Sequence, residues 1–131
     1  MSERPSNELS TLAEPRGLRP DERALIEQLL AKPFPGRDEI ASQLADTQVI
    51  AEGERDTRTL RFASPAVAAP MVPTKLRVPV EGIGDDEDAV PIQVLLHVVN
   101  GAVTELEIYR VDGQPIKRRD RLAIRTVSVN E

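Results

Sequence analysis

The hydrophobic period changes once along this chain, and that change dictates which layers it can build. Up to about residue 46 the apolar residues recur at three- and four-residue spacing, the signature of helices with one buried stripe. From Thr47 onward they alternate, the signature of strands with one buried face. Leu25, Ile26, Leu29 and Leu30 form the first stripe. Pro20 suits the first helical position, where its missing N–H costs nothing, and Asp21 and Glu22 suit the positive end of the helix dipole. Pro33 stops the helix, so the first helix is expected over 20–31. Phe34, Pro35 and Gly36 connect it to a second helix over 37–46, with Ile40, Ala41, Leu44 and Ala45 on its buried face.

The alternating part divides at its turn residues. Short strands are expected over 47–52 and 57–63, the latter with Leu60 and Phe62 inward. Residues 64–73 contain Pro65, Pro70 and Pro73 and read as an irregular loop. Residues 74–81 alternate again, but Pro79 cannot donate to a ladder, so this stretch reads as an edge strand. Residues 82–89 (GIGDDEDA) read as an acidic turn whose glycines give flexibility. Residues 90–99 are apolar on both faces, as a central strand requires. Asn100-Gly101 then tolerates positive φ at both positions and specifies a type I′ hairpin. The return strand, 102–110, places Thr104, Leu106 and Ile108 on one face and Val103, Glu105, Glu107 and Tyr109 on the other. Asp112-Gly113 marks another turn, and 121–129 reads as a final strand or a tail that pairs only in part.

Strands joined by short turns pair antiparallel, and helices segregated from strands define α+β. The expected fold is therefore two N-terminal helices on one face of a twisted, mainly antiparallel sheet of five to six strands. Residues 1–17 are polar and punctuated by Pro5, Pro15 and Gly17, so they are expected to form a disordered arm. Residues 18–131 are expected to form a single domain, with 117–131 loosely attached.

Composition narrows the function. The only aromatic residues are Phe34, Phe62 and Tyr109, which removes the stacking platforms of single-strand binders. A net charge of −5 disfavours binding along a phosphate backbone. The absence of cysteine removes disulfides, thiolate nucleophiles and cysteine metal sites. No apolar run reaches membrane-spanning length, and MSERPSNELS has no signal-peptide core. A soluble cytoplasmic protein is expected, without membrane or nucleic-acid partners and without a cofactor. No catalytic motif is present.

A few residues remain as site candidates. Glu105, Glu107 and Tyr109 alternate along one strand, so two carboxylates and a phenol share a face. Such a row suits an arginine-rich partner or a divalent cation, and equally the solvated side of an amphipathic strand. Arg110 follows as an interface residue by type, and Asp112 closes the pattern. Asp85, Asp86, Glu87 and Asp88 read as a solvated turn. Counted from Asp86, a calcium loop would need glycine and glutamate where Pro91 and His97 stand. His97 is the single histidine and reads as a packed or partly exposed structural residue, since a zinc site with one histidine and no cysteine lacks ligands. Lys117, Arg118, Arg119 and Arg121 form a basic cluster broken by Asp120.

Residues 18–44 (LRPDERALIEQLLAKPFPGRDEIASQL) and 86–116 (DEDAVPIQVLLHVVNGAVTELEIYRVDGQPI) together resemble a group of small uncharacterised bacterial proteins. These share an opening LxPxE helix and a late NG hairpin ending in ELE-aromatic-x-x-DG, here Glu105, Leu106, Glu107, Ile108, Tyr109 and Asp112. Some relatives have an extra glycine where this chain has Ala89. The resemblance implies a domain boundary near residue 18 and carries no activity over; related proteins are sometimes guessed to be immunity or interaction proteins. The reading that follows is a non-catalytic protein-interaction module that docks through the sheet face bearing Glu105, Glu107 and Tyr109, with Arg110 and Asp112 as further binding candidates, or through the acidic turn 85–88. The alternative is a small metal-dependent hydrolase or a small-molecule binder using the same carboxylates.

Overall fold

A computed structural model describes residues 9–53, 57–118 and 120–130. Two helices and seven strands follow in the order β1 (Leu9–Arg16), α1 (Pro20–Leu29), α2 (Arg37–Ala45), β2 (Val49–Gly53), β3 (Leu60–Phe62), β4 (Val80–Asp85), β5 (Pro91–Val99), β6 (Ala102–Arg110) and β7 (Ile124–Val129). The strands form one sheet ordered β1-β2-β3-β6-β5-β4-β7, and its pairs run antiparallel. The α+β class is as expected, with seven strands where five to six were read.

Both helices bury their stripes against one face of this sheet. Leu25, Ile26, Leu29, Leu30, Ile40 and Leu44 join Leu60, Phe62, Val80, Ile92, Val94, Leu96, Val98, Leu106 and Ile108 in a continuous apolar core. At roughly 25 cal/mol per Å² of apolar surface buried, this contact is the main favourable term. The Arg37 guanidinium donates to the Leu30 carbonyl, closing the end of α1. Gly36 turns the chain between the helices at φ 92°. The Asn100-Gly101 hairpin has φ 50° and 80° at its two central residues, as a type I′ turn demands.

Four expectations need correction. Leu9–Arg16, read as part of a flexible arm, is the edge strand β1 and pairs with β2; residues 1–8 lie outside the described residues. Backbone pairing holds this polar strand, with only Leu12 packing on the core. The strand read over 74–81 starts instead at Val80 and runs to Asp85, between β5 and β7 rather than at an edge.

The glycines of that strand are packing devices, not turn residues. A Cβ on Gly82 would lie 2.9 Å from Ile124 and 3.1 Å from Leu29, and one on Gly84 only 2.4 Å from the Ala123 carbonyl oxygen. Glycine lets α1 and the β7 entry approach the sheet, at the expense of the strand signal. The acidic turn therefore shrinks to its last residues, where the Ala89 amide donates to the Asp86 carbonyl. Finally, pairing shifts from His97↔Glu105 to Val98↔Val103. Thr104 is the extra residue of a bulge, so Val103 turns into the core instead of sharing a face with Glu105.

Ala89 sits at φ 69°, a left-handed conformation that costs a Cβ-bearing residue about 1 kcal/mol. Ala89→Gly is expected to raise unfolding stability by up to about 1 kcal/mol in urea titration. Gly84→Ala is expected to lower it by about 1–3 kcal/mol, because the obstacle is backbone. An unchanged midpoint for Gly84→Ala would contradict the close approach of Ala123.

Candidate functional site

The sheet face opposite the helices carries the predicted acids. Direct pairing sets three rows across neighbouring strands. Thr126, Ile83, Gln93 and Tyr109 form one, and Ser128, Glu81, Leu95 and Glu107 the next. His97, Glu105 and Arg61 form the third. Glu105, Glu107 and Tyr109 do share this face, as their alternation predicts.

The addition is His97, which β5 delivers opposite Glu105. Its Nε2 lies 2.7 Å from Glu107 Oε1, and the Glu107 side chain is fully buried. Arg77 Nε donates to His97 Nδ1 at 3.0 Å. Because a guanidinium has no lone pair to accept with, Nδ1 is the acceptor and Nε2 carries the proton toward Glu107. Arg61 pairs with Glu105 at 3.1 Å, and its side chain is half-exposed. One nitrogen and two carboxylate oxygens, from His97, Glu105 and Glu107, lie within 4.8 Å of one another. Sequence spacing could not bring His97 to this group, because the contact depends on strand register across the hairpin.

Arg110 and Asp112, predicted for the same surface, belong elsewhere. Arg110 is 3 % exposed and Asp86 2 %. Arg110 Nη1 contacts Asp86 at 2.9 Å and Asp88 at 2.9 Å, while Nη2 contacts Asp112 at 2.6 Å. Asp86 also accepts the amides of Lys117 and Arg118, each at 2.7 Å, and of Glu87 at 2.8 Å. The acidic run is thus not a solvated turn: its second residue is a buried structural anion. Burial alone would push the Asp86 carboxyl up. The Lys117 amide, the Arg110 guanidinium and the other two amides outweigh burial and hold it well below the usual carboxylate range. Arg110 likewise lowers Asp112 to about 2. The basic cluster after Ile116 contributes backbone amides here, which its residue types did not reveal.

A third feature is a cleft of 320 Å³ between α1, β2, β3 and the segment entering β7. Leu25, Leu60, Leu106, Ile108 and Leu122 line its depth, and Arg16, Arg19, Glu22, Glu52 and Arg58 line its rim. Arg16 bridges Glu22 at 2.9 Å and Glu52 at 2.5 Å, tying β1, α1 and β2 together. No sequence motif marks this cleft, since its walls come from six stretches of the chain.

The fold defines an α+β domain built on a seven-stranded antiparallel sheet. The chain belongs to the family described as Domain of unknown function (DUF6984), whose family model matches residues 15–120. No curated protein and no solved structure matches it.

The Asp86 cluster generates an acid-stability prediction. A carboxyl whose folded pKa is depressed stabilises the fold fully above its unfolded value, here 3.8. That contribution is lost as pH falls through the folded value. Melting temperature is therefore expected to hold above about pH 5 and to fall progressively below about pH 4. Asp86→Ala should cost about 3 kcal/mol at neutral pH, as removal of one partner of a buried pair does, and should flatten the acid limb. A variant of unchanged stability would refute this role for Asp86.

Proposed function

We propose that this chain is a non-catalytic protein-interaction module that docks through the sheet face opposite its helices. The observation that carries the reading is the make-up of that face. Ile83, Leu95 and Tyr109 sit in two adjacent rows and are half-buried, not exposed. Charged side chains already held in ion pairs border them, with Arg61–Glu105 on one side and Arg125–Asp85 on the other. Gln93 lies between Ile83 and Tyr109, and Glu81 and Glu107 flank Leu95, so the face mixes apolar and polar groups as non-obligate interfaces do. Tyr and Arg are also the residue types in which binding energy concentrates. Both ring nitrogens of His97 are engaged, so the single histidine of the chain offers no free base.

A second reading rests on the cleft. An apolar floor beneath a few charged groups suits a small molecule, and 320 Å³ is at the lower end of ligand-pocket size. In that reading the outer face is only a solvated surface.

Affinity capture from the native host with wild type and two face variants, Leu95→Arg and Tyr109→Ala, tests the leading reading. The expected result is a stoichiometric protein retained by wild type and lost by at least tenfold in both variants, with melting temperatures close to wild type. Retention of the partner by both variants would exclude this face. Ligand-induced amide shifts confined to Leu60, Leu106 and Leu122 in a metabolite screen would favour the cleft instead.

A further inference from the structure

We propose that His97, Glu105 and Glu107 form a binding site for one divalent transition-metal ion, zinc by preference. The donor atoms come from two paired strands, within 4.8 Å of one another. Zinc bonds of about 2.0–2.2 Å to imidazole nitrogen and carboxylate oxygen place neighbouring ligands about 3.3 Å apart, so modest rotation of these side chains closes the set. The backbone beneath is fixed by the His97↔Glu105 register and by the Thr104 bulge that ends it. One imidazole and two carboxylates are a mixed nitrogen–oxygen set. It suits zinc better than magnesium or calcium, which favour oxygen alone.

Charge points the same way. Glu107 is fully buried and Glu105 largely so, and buried carboxylates demand a cation or several donors. Arg61 donates to Glu105, and His97, held by Arg77, bonds Glu107. Arg77 is exposed and can swing away. Its departure frees Nδ1 to take the ring proton, and Nε2 is left with the lone pair that an ion requires. The proton moves within the neutral ring by way of solvent, so the exchange needs no other reactant. Three protein ligands leave a fourth position for water. The site stands whether or not the surrounding face docks a partner.

His97 gives the test a unique reporter. In the tag-free full-length chain, the two ring nitrogens are followed by nitrogen-15 NMR during titration with zinc chloride, with calorimetry for stoichiometry. The expected result is one zinc per chain, with the proton moving from Nε2 to Nδ1. His97→Gln and Glu105→Gln should each weaken zinc at least tenfold, while Asp85→Asn, away from the set, should leave affinity unchanged. Magnesium should leave the His97 ring resonances unmoved. Glu105→Gln carries the test if Glu107→Gln does not fold, because Glu105 is not fully buried. Unmoved ring resonances at saturating zinc, or full affinity in both His97→Gln and Glu105→Gln, would overturn the site.

Discussion

The buried contact between Arg110 and Asp86 ties three parts of the molecule together at one point. It joins the end of β6, the β4–β5 turn and the segment that leads to β7. One guanidinium faces three carboxylates, and the Lys117 ammonium adds a second cation at 3.2 Å from Asp88. The remaining negative charge is met by three backbone amides on Asp86. A buried ion survives desolvation only with that completeness of hydrogen bonding. Ile116 and Leu122 bury on either side of the segment so fixed. The cluster therefore steers the chain from β6 across the core edge and back to β4, where β7 pairs.

A comparable device works at the opposite edge. Arg16 forks between Glu22 in the first turn of α1 and Glu52 on β2, and Glu22 also accepts the Arg19 amide. Planar, multidentate donation is what arginine offers and lysine does not. The family match, residues 15–120, contains Arg16, Arg110 and their partners but leaves β7 and most of β1 outside. Both are anchored by pairing more than by apolar content: β7 exposes Arg125, Thr126 and Ser128, and β1 exposes most of its side chains.

This explains what the sequence disclosed and what it withheld. Helix positions were legible because Pro20, Pro33 and the leucine stripes are local signals. The β5–β6 hairpin was legible because Asn100-Gly101 admits few conformations. β1 was illegible because a polar edge strand owes its order to a partner distant in sequence, through Leu9↔Gly53 and its neighbours. β4 was misplaced because Gly82 and Gly84 read as turn residues, whereas their missing side chains admit Leu29 and Ala123. Glu105, Glu107 and Tyr109 were placed on one face by alternation alone. Arg110 and Asp112 fold into the Asp86 cluster instead, since adjacency along a strand end says nothing about which distant acid turns inward. His97 was read as structural, and its buried bond to Glu107 agrees with a packed position; its place beside Glu105 required register.

The His97–Glu107 pair shows why structural and ligand-binding roles need not compete. Nε2–H of His97 bonds the buried Glu107 carboxylate, and Arg77 fixes the tautomer that permits it. An ion entering the site must replace the His97–Glu107 and Arg77–His97 hydrogen bonds, each worth net about 0.5–3 kcal/mol. It must also displace the pairing of Arg61 with Glu105. Zinc affinity here is consequently a difference between two satisfied arrangements, and it is set as much by the arginines that leave as by the ligands that stay. Arginine removal should then tighten the ion where ligand removal weakens it, which separates competition by Arg77 and Arg61 from a face that merely attracts cations.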